Sequence, residues 1–321
     1  MSNSPKSPFL LGVIEDELDA KNPPPFYFMN PDKSTAQIIP DNVLSFFRQQ
    51  SLADMREECI RELAENEPPS PETDEILSEF GRCTRERFSK ILYTLQSIDP
   101  EIRESLIDSQ VPLSLVLLIN SEGGDVKVSQ DIQDIMMAMR RRKGGVATYA
   151  TPWLFSSAAN IWIDANRDAR FALRDTQAMW HAPEYTSNSE RPAFRDEDET
   201  EEARQELINF FDYHATDGPI KTRITATLED GENTKAEVCL SGAELGECGV
   251  AHTVFDDIKA MEEALYATTG WQGIRKRGVD PITRFFHESM IDARTDASRK
   301  SGESRAKRAL ETYLTDRLAN R

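Results

Sequence analysis

The apolar residues of the chain follow two periodicities, which predict where strands and helices lie. The run VPLSLVLLIN over 111–120 is almost continuously apolar, as expected for a strand buried on both faces of a parallel sheet. It ends in SEGGD, and the stretch that follows has apolar residues at helical spacing up to the basic run RRRK. VATYA predicts a second strand, SSAANIWIDAN a second buried helix, and RFAL and QAMWH further strands. This alternation predicts an α/β core with right-handed crossovers.

The flanking segments have other patterns. Residues 42–64 and 76–107 have apolar residues at helical spacing, whereas FLLGVI and FYFM near the start predict short edge strands. The end of the chain predicts only helices. The predicted division is a mostly helical N-terminal extension (1–108), a core (109–257) with an acidic loop and helix insert (183–236), and a helical C-terminal extension (258–321).

The charge of the chain is large and unevenly distributed. The formal net charge is −18, which argues against nucleic acid as a partner. Residues 271–321 hold twelve Lys and Arg against seven Asp and Glu, a net of +5, so the preceding residues carry −23. A basic helical end on an acidic body suggests contact between subunits, and a solvated helix face is the alternative interpretation.

The sequence also bears on location. The start, MSNSPKSPFLLGVIEDELD, lacks a basic region followed by an apolar core, so we expect no secretory signal. No apolar run approaches about 18 residues, so we expect no membrane span. The four cysteines have neither metal-site spacing nor a disulfide pattern. These features favour a cytoplasmic protein with no metal and no organic cofactor.

Three segments place reactive groups at strand ends. INSEGGDV has two glycines that let the backbone approach a ligand, although a plain turn has the same composition. Ser156 and Ser157 stand at a strand-to-helix corner, where a nucleophile or an ordinary helix cap can lie. His181 ends a strand and can act as a general base, although a lone histidine is more often structural.

These segments together resemble the proteolytic subunit of Clp protease and its ClpP/crotonase relatives. INSEGG, SSAA, RFAL and AMWHAP correspond to family motifs in the same order, and His181 lies eight residues after Leu173 as in the family. LSGAELGECGVAH over 240–252 resembles a fourth motif. The resemblance covers about 111–257. It implies an α/β fold of the ClpP/crotonase type, with repeated β-α units and a protruding handle helix.

The resemblance also implies residue roles. His181 is the general base, and Gly124, beside Gly123, supplies an oxyanion donor together with the N–H after the nucleophile. The family's acidic residue lies four positions before the serine of its LS motif, which here is Glu237. Asp230 and Glu232 are the alternatives for this role.

The resemblance leaves two candidates for the nucleophile. An alignment without gaps from Thr148 to His181 selects Ser156. Choosing Ser157 instead places Ala158 and the next alanine at the family's small positions, and keeps Asn160 away from a bulky apolar position. We therefore favour Ser157, with the Ala158 N–H as second oxyanion donor, and keep Ser156 as the alternative nucleophile.

The expected function is that of a Clp-type serine endopeptidase. It would cleave unfolded proteins or peptides inside a homo-oligomeric ring, fed by a separate AAA+ ATPase because the chain has no phosphate-binding G-x-x-x-x-G-K-[ST] motif. A catalytically inactive scaffold is the alternative, because bulky WLF replaces the family's small residues before the serines. A crotonase-like acyl-CoA enzyme ranks lower, because that chemistry needs no Ser–His pair.

Overall fold

The structure is a computed structural model. It describes residues 7–40, 44, 99–107, 113–142, 144–181, 197–230, 236–274 and 280–292. Apart from residue 44, the predicted helix over 42–64 lies outside the described residues, as do most of the one over 76–107 and residues 293–321. Within the described ranges, no helix combines the length and the apolar character needed to cross a membrane.

The described strands form one mixed sheet. In chain order they are β1 (Phe9–Leu18), β2 (Phe26–Asn30), β3 (Thr35–Ile39), β4 (Ser114–Gly124), β5 (Val146–Phe155), β6 (Arg170–Leu173), β7 (Gln177–Trp180), β8 (Val238–Ser241) and β9 (Thr253–Phe255). The sheet order is β3-β2-β1-β4-β5-β6-β9, and β7 pairs with both β5 and β8. Strands β1, β4, β5, β6 and β9 are parallel, whereas β2, β3 and β8 run antiparallel to their neighbours.

Helices cover both faces of this sheet. In chain order they are α1 (Pro100–Ile107), α2 (Val126–Arg140), α3 (Ser157–Ile163), α4 (Glu197–His214), α5 (Pro219–Glu229), α6 (Gly242–Glu247), α7 (Ile258–Thr269) and α8 (281–292). Leu115 and Leu117 of β4 face a core that includes α2 and α3. Val116 and Leu118 face a second core that includes α7 and α8. The predicted α/β class is confirmed, and the doubly buried strand predicted over 111–120 is found as β4, 114–124, whose apolar residues are buried on both faces.

The prediction of an edge strand at FLLGVI was wrong. This segment is the greater part of β1, which lies inside the sheet, parallel to β4 on one side and antiparallel to β2 on the other. Its first six residues are buried, because both faces are covered. The described part of the N-terminal segment therefore continues the sheet of the core. The division at residue 109 remains a prediction.

Strand β5 changes neighbour midway along its length. Residues 148–150 pair with β6, whereas residues 153–155 pair with β7. Strand β7 then pairs with β8, so these two strands form a short ribbon that branches from the main sheet. The branch sets the C-terminal end of β5 beside that of β7.

Helix α8 is attached to the sheet by apolar and polar contacts. Phe285 and Phe286 are buried in the second core. The Arg284 guanidinium lies 3.3 Å from the Glu15 carboxylate of β1. At the other end of α8, Asp292 accepts a hydrogen bond of 2.9 Å from the Asn120 amide. The described residues of the C-terminal segment, 258–274 and 280–292, thus pack against the sheet.

Candidate active site

The corner between β5 and α3 holds Ser156 in an unusual backbone conformation. Its φ is 55° and its ψ is −127°, a region that residues other than glycine seldom occupy and that often marks functional sites. The Ser156 N–H donates to the Met179 carbonyl over 2.7 Å, which ties the corner to β7. Its side chain caps no backbone N–H of α3. The Ser156 hydroxyl is therefore not used in building the helix.

The neighbouring Ser157 has a different environment. It is the first residue of α3, with 7% of its surface exposed. Its hydroxyl donates to the Gly124 carbonyl over 3.2 Å. Ser129 of α2 donates to the Ser157 carbonyl over 3.4 Å. Ser157 thus joins α3 to the diglycine corner and to α2, and Ala158 behind it is fully buried.

His181 follows directly after β7. The parallel register of β5 and β7 pairs Phe155 with Met179, so Ser156 follows beside Trp180 and His181 lies one residue further along. Ser156 and His181 line one cavity of about 280 Å³. The structure therefore brings together a serine and the histidine that the sequence selected. The serine in that cavity is Ser156, whereas the sequence analysis favoured Ser157.

Glu237 stands directly before β8. The antiparallel register of β7 and β8 pairs Trp180 with Val238, and one further step places His181 opposite Glu237. Glu237 is exposed and accepts a hydrogen bond of 3.4 Å from the Cys239 thiol. Burial, together with this carboxylate, raises the pKa of Cys239 to about 11. Of the alternatives, Asp230 ends α5, and Glu232 lies outside the described residues.

The diglycine corner packs against the serine corner. Gly123 and Gly124 have φ values of 93° and 128°. A methyl group on Gly123 would lie 2.7 Å from both the Ser156 Cβ and the Phe155 carbonyl oxygen, so only glycine fits there. The Gly123 N–H donates to the Ser121 hydroxyl over 3.1 Å. These contacts place the end of β4 directly beside Ser156.

The cavity continues from Ser156 along one face of α3. Asn160 and Asp164 follow Ser156 at intervals of four residues, so all three lie on the same side of the helix. The Gln133 amide of α2 donates to the Asp164 carboxylate over 2.6 Å. Burial nevertheless raises the pKa of Asp164 above its ordinary value.

Helix α4 forms the opposite wall of the cavity through Glu206, Leu207 and Phe210. The sequence analysis missed this wall, and it also missed Asp164. The signal for Asp164 was present as a polar stripe at positions 156, 160 and 164 of an otherwise apolar helix. The polar character of Asn160, which counted against Ser156, has a direct explanation here, because Asn160 is exposed and lines the cavity.

Comparison with known families places the chain in one of them. The model of the family described as Clp protease matches residues 89–257, which is more than half of the chain. The chain therefore belongs to the Clp protease family, and its fold is ClpP-like. This membership supports a ClpP-like peptidase or scaffold, and oligomers and protein substrates in general.

Two solved structures similar to this chain come from Listeria monocytogenes. A point mutant of ClpP1, in which an aspartate replaces an asparagine, is 16% identical, with a TM-score of 0.36, and the match covers 77% of this chain and 91% of that one. ClpP1 itself is 14% identical, with a TM-score of 0.37, and the match covers 78% and 94%. A search of curated proteins found no match.

Proposed function

We propose that this protein is a Clp-type serine peptidase in which Ser156 is the nucleophile. One observation carries the proposal: the diglycine corner, Ser156, His181 and Glu237 stand at the adjoining ends of β4, β5, β7 and β8, in that order. Acyl transfer by a serine triad requires these four groups in this spatial order: a backbone donor, a hydroxyl, an imidazole and a carboxylate.

The contacts of the two serines support Ser156 over Ser157. The Ser157 hydroxyl is occupied by the Gly124 carbonyl, and moving it towards His181 would break that bond. The Ser156 hydroxyl caps no helix N–H and borders the cavity that His181 also borders. The positive φ of Ser156 is a second support, because strain of about 1–3 kcal/mol persists only where the surrounding structure maintains it.

Each residue then has a chemical role. His181 takes the proton from Ser156 as its oxygen attacks the peptide carbonyl, and later gives that proton to the leaving amine. Glu237, opposite His181, orients the imidazole and stabilises its charged form. Because Ser156 is the nucleophile in this proposal, the N–H that follows it belongs to Ser157. The Ser157 N–H therefore replaces the Ala158 N–H as the second oxyanion donor, together with the Gly124 N–H. Each donor contributes roughly 3–4 kcal/mol to stabilising the tetrahedral intermediate. Water then hydrolyses the acyl-enzyme.

The assembly follows from family membership together with the exposed surface. We infer a homo-oligomeric ring that encloses the active sites, with α4 as the handle helix. Tyr213 near the end of α4 is 78% exposed, as suits a residue that another subunit covers. A separate AAA+ ATPase would feed protein substrates to this ring. The free thiols of Cys239 and Cys248 fit a reducing cytoplasm.

A specific observation favours the second candidate, an inactive scaffold. Trp153 and Phe155 bring two aromatic rings, with centroids 5.6 Å apart, into the strand that leads to Ser156. The family pattern has small residues in this stretch, and a protein that no longer binds an extended peptide beside the serine would tolerate their replacement.

A fluorophosphonate probe distinguishes the two candidates, because it reacts only with an activated serine. The full-length protein should be labelled once, and peptide mapping should place the label on Ser156. Ser156→Ala and His181→Ala should lose both labelling and peptide cleavage. Ser157→Ala is the matched control and should retain labelling. Labelling that depends on Ser157 would refute the nucleophile assignment, and no labelling of the folded wild type would favour the scaffold.

A further inference from the structure

The cavity beside Ser156 carries negative charge. Asp164 and Glu206 place two carboxylates in its wall, and no Lys or Arg is among the described residues that line it. Because Ser156 and His181 border the same space, a substrate side chain next to the reacting carbonyl would enter it. This inference rests on the proposed function and concerns the substrate class of the same site.

The surroundings of Asp164 leave its charge incompletely compensated. The Gln133 amide donates one hydrogen bond to the carboxylate, and the charges of Arg140 and Arg170 also favour its ionised form. Burial outweighs all three, so the pKa of Asp164 stays raised. The Arg170 guanidinium is directed elsewhere, to the Ala165 carbonyl and the His214 ring. A cation entering the cavity would offset the cost of burying this carboxylate.

The remaining walls suit a long side chain. Ile163, Trp180, Leu207 and Phe210 provide apolar surface on which the methylene groups of Lys or Arg can pack. The aromatic rings of Trp180 and Phe210 also attract a cation placed over their faces. A volume of about 280 Å³ lies just below the range of drug-sized pockets, which suits one side chain.

We infer that this cavity is a specificity pocket for a lysine or arginine side chain adjacent to the cleaved bond, with Asp164 as the residue that selects the cation. Glu206, exposed on α4, contributes a weaker attraction at the mouth of the pocket.

The test uses fluorogenic peptides that differ only at the residue before the cleaved bond: Lys, Arg, Gln or Leu. The full-length protein should cleave the Lys and Arg peptides with a kcat/KM at least about 10-fold above that of the Leu peptide. Asp164→Asn keeps the shape of the side chain and should lower kcat/KM for the cationic peptides about 10- to 100-fold. The readout is the ratio of kcat/KM for the Lys peptide to that for the Leu peptide, which the same variant should lower about 10-fold or more.

Two further variants control for folding and for general charge. Glu206→Gln alters an exposed residue and should reduce cleavage of cationic peptides about 2- to 5-fold. Asp168→Asn removes an exposed carboxylate outside the cavity and should leave all the peptides unaffected. Fluorophosphonate labelling is measured on every variant.

The possible outcomes separate the two proposals. If labelling is intact, the Leu peptide is cleaved best and Asp164→Asn does not change that preference, the pocket inference is overturned and the peptidase proposal stands. Absence of both labelling and cleavage for every peptide would overturn both.

Discussion

The carboxylate of Glu15 makes the stability of the protein depend on pH. This side chain lies between β1 and α8, where it meets the Arg284 guanidinium at 3.3 Å and the Glu288 carboxyl. Burial, and then the charge of Glu288, raise the pKa of Glu15 from 4.5 to about 7. The folded protein therefore keeps a proton at this position over a pH range in which the unfolded chain has released it.

The sign and the size of the effect follow from this shift. Because Glu15 binds more protons in the folded state than in the unfolded state between pH 4.5 and about 7, its contribution to the free energy of unfolding falls as the pH rises through that window and is constant above it. At 1.36 kcal/mol for each pH unit, the whole shift corresponds to about 3 kcal/mol. The Glu15 side chain is 22% exposed, so solvent screening reduces the expected loss to about 1–2 kcal/mol.

Glu15→Gln tests this reasoning, because the amide cannot ionise but can still bond to Glu288 and Arg284. Urea unfolding of wild type and variant should give similar free energies at pH 5. At pH 8 the variant should be more stable by about 1–2 kcal/mol. Glu17→Gln, an exposed change on the same strand, is the matched control and should follow the wild type. A difference in the free energy of unfolding between wild type and Glu15→Gln that stays the same from pH 5 to pH 8 would refute the argument.

Two further predictions concern the site. Gly123→Ala should destabilise the fold by about 2–4 kcal/mol in urea unfolding, because it combines positive-φ strain with contact against the Phe155 carbonyl. Gly218→Ala, in open space, should cost less than about 1 kcal/mol, and equal losses for the two would contradict the packing account. Glu237→Gln should lower kcat for peptides by about 10²- to 10⁴-fold with little change in KM, through the orientation of His181. An unchanged kcat would move the acidic role to another residue.

Local patterns in the sequence were enough to locate most of the site. The apolar run of β4 required burial on both faces, and the glycines after it required a close approach of the backbone. The interval between Leu173 and His181 placed the histidine directly after a strand. These features depend on residues near one another in the chain, so the sequence expresses them directly.

The pairing of strands from distant parts of the chain and the dihedral angle of a single residue could not be predicted from local sequence patterns. The run in β1 has the composition of an edge strand or an interior strand, and only its partners β2 and β4 decide between them. Likewise, Ser156 and Ser157 differ in one φ angle and one hydrogen bond, to which neighbouring residue types give no guide. The cavity wall supplied by α4 depends on a packing contact between segments well separated in the chain.

The midway change of neighbour along β5 ties the candidate site to the interior of the protein. Ser156 follows a strand of the main sheet, whereas His181 and Glu237 adjoin the β7–β8 ribbon. Ala178 and Trp180 of β7 are buried in the same core as the residues of β4 and β5. A rotation of the ribbon that displaced the imidazole would therefore disturb this packing. The relative position of Ser156 and His181 is thus maintained by the burial that also stabilises the folded state.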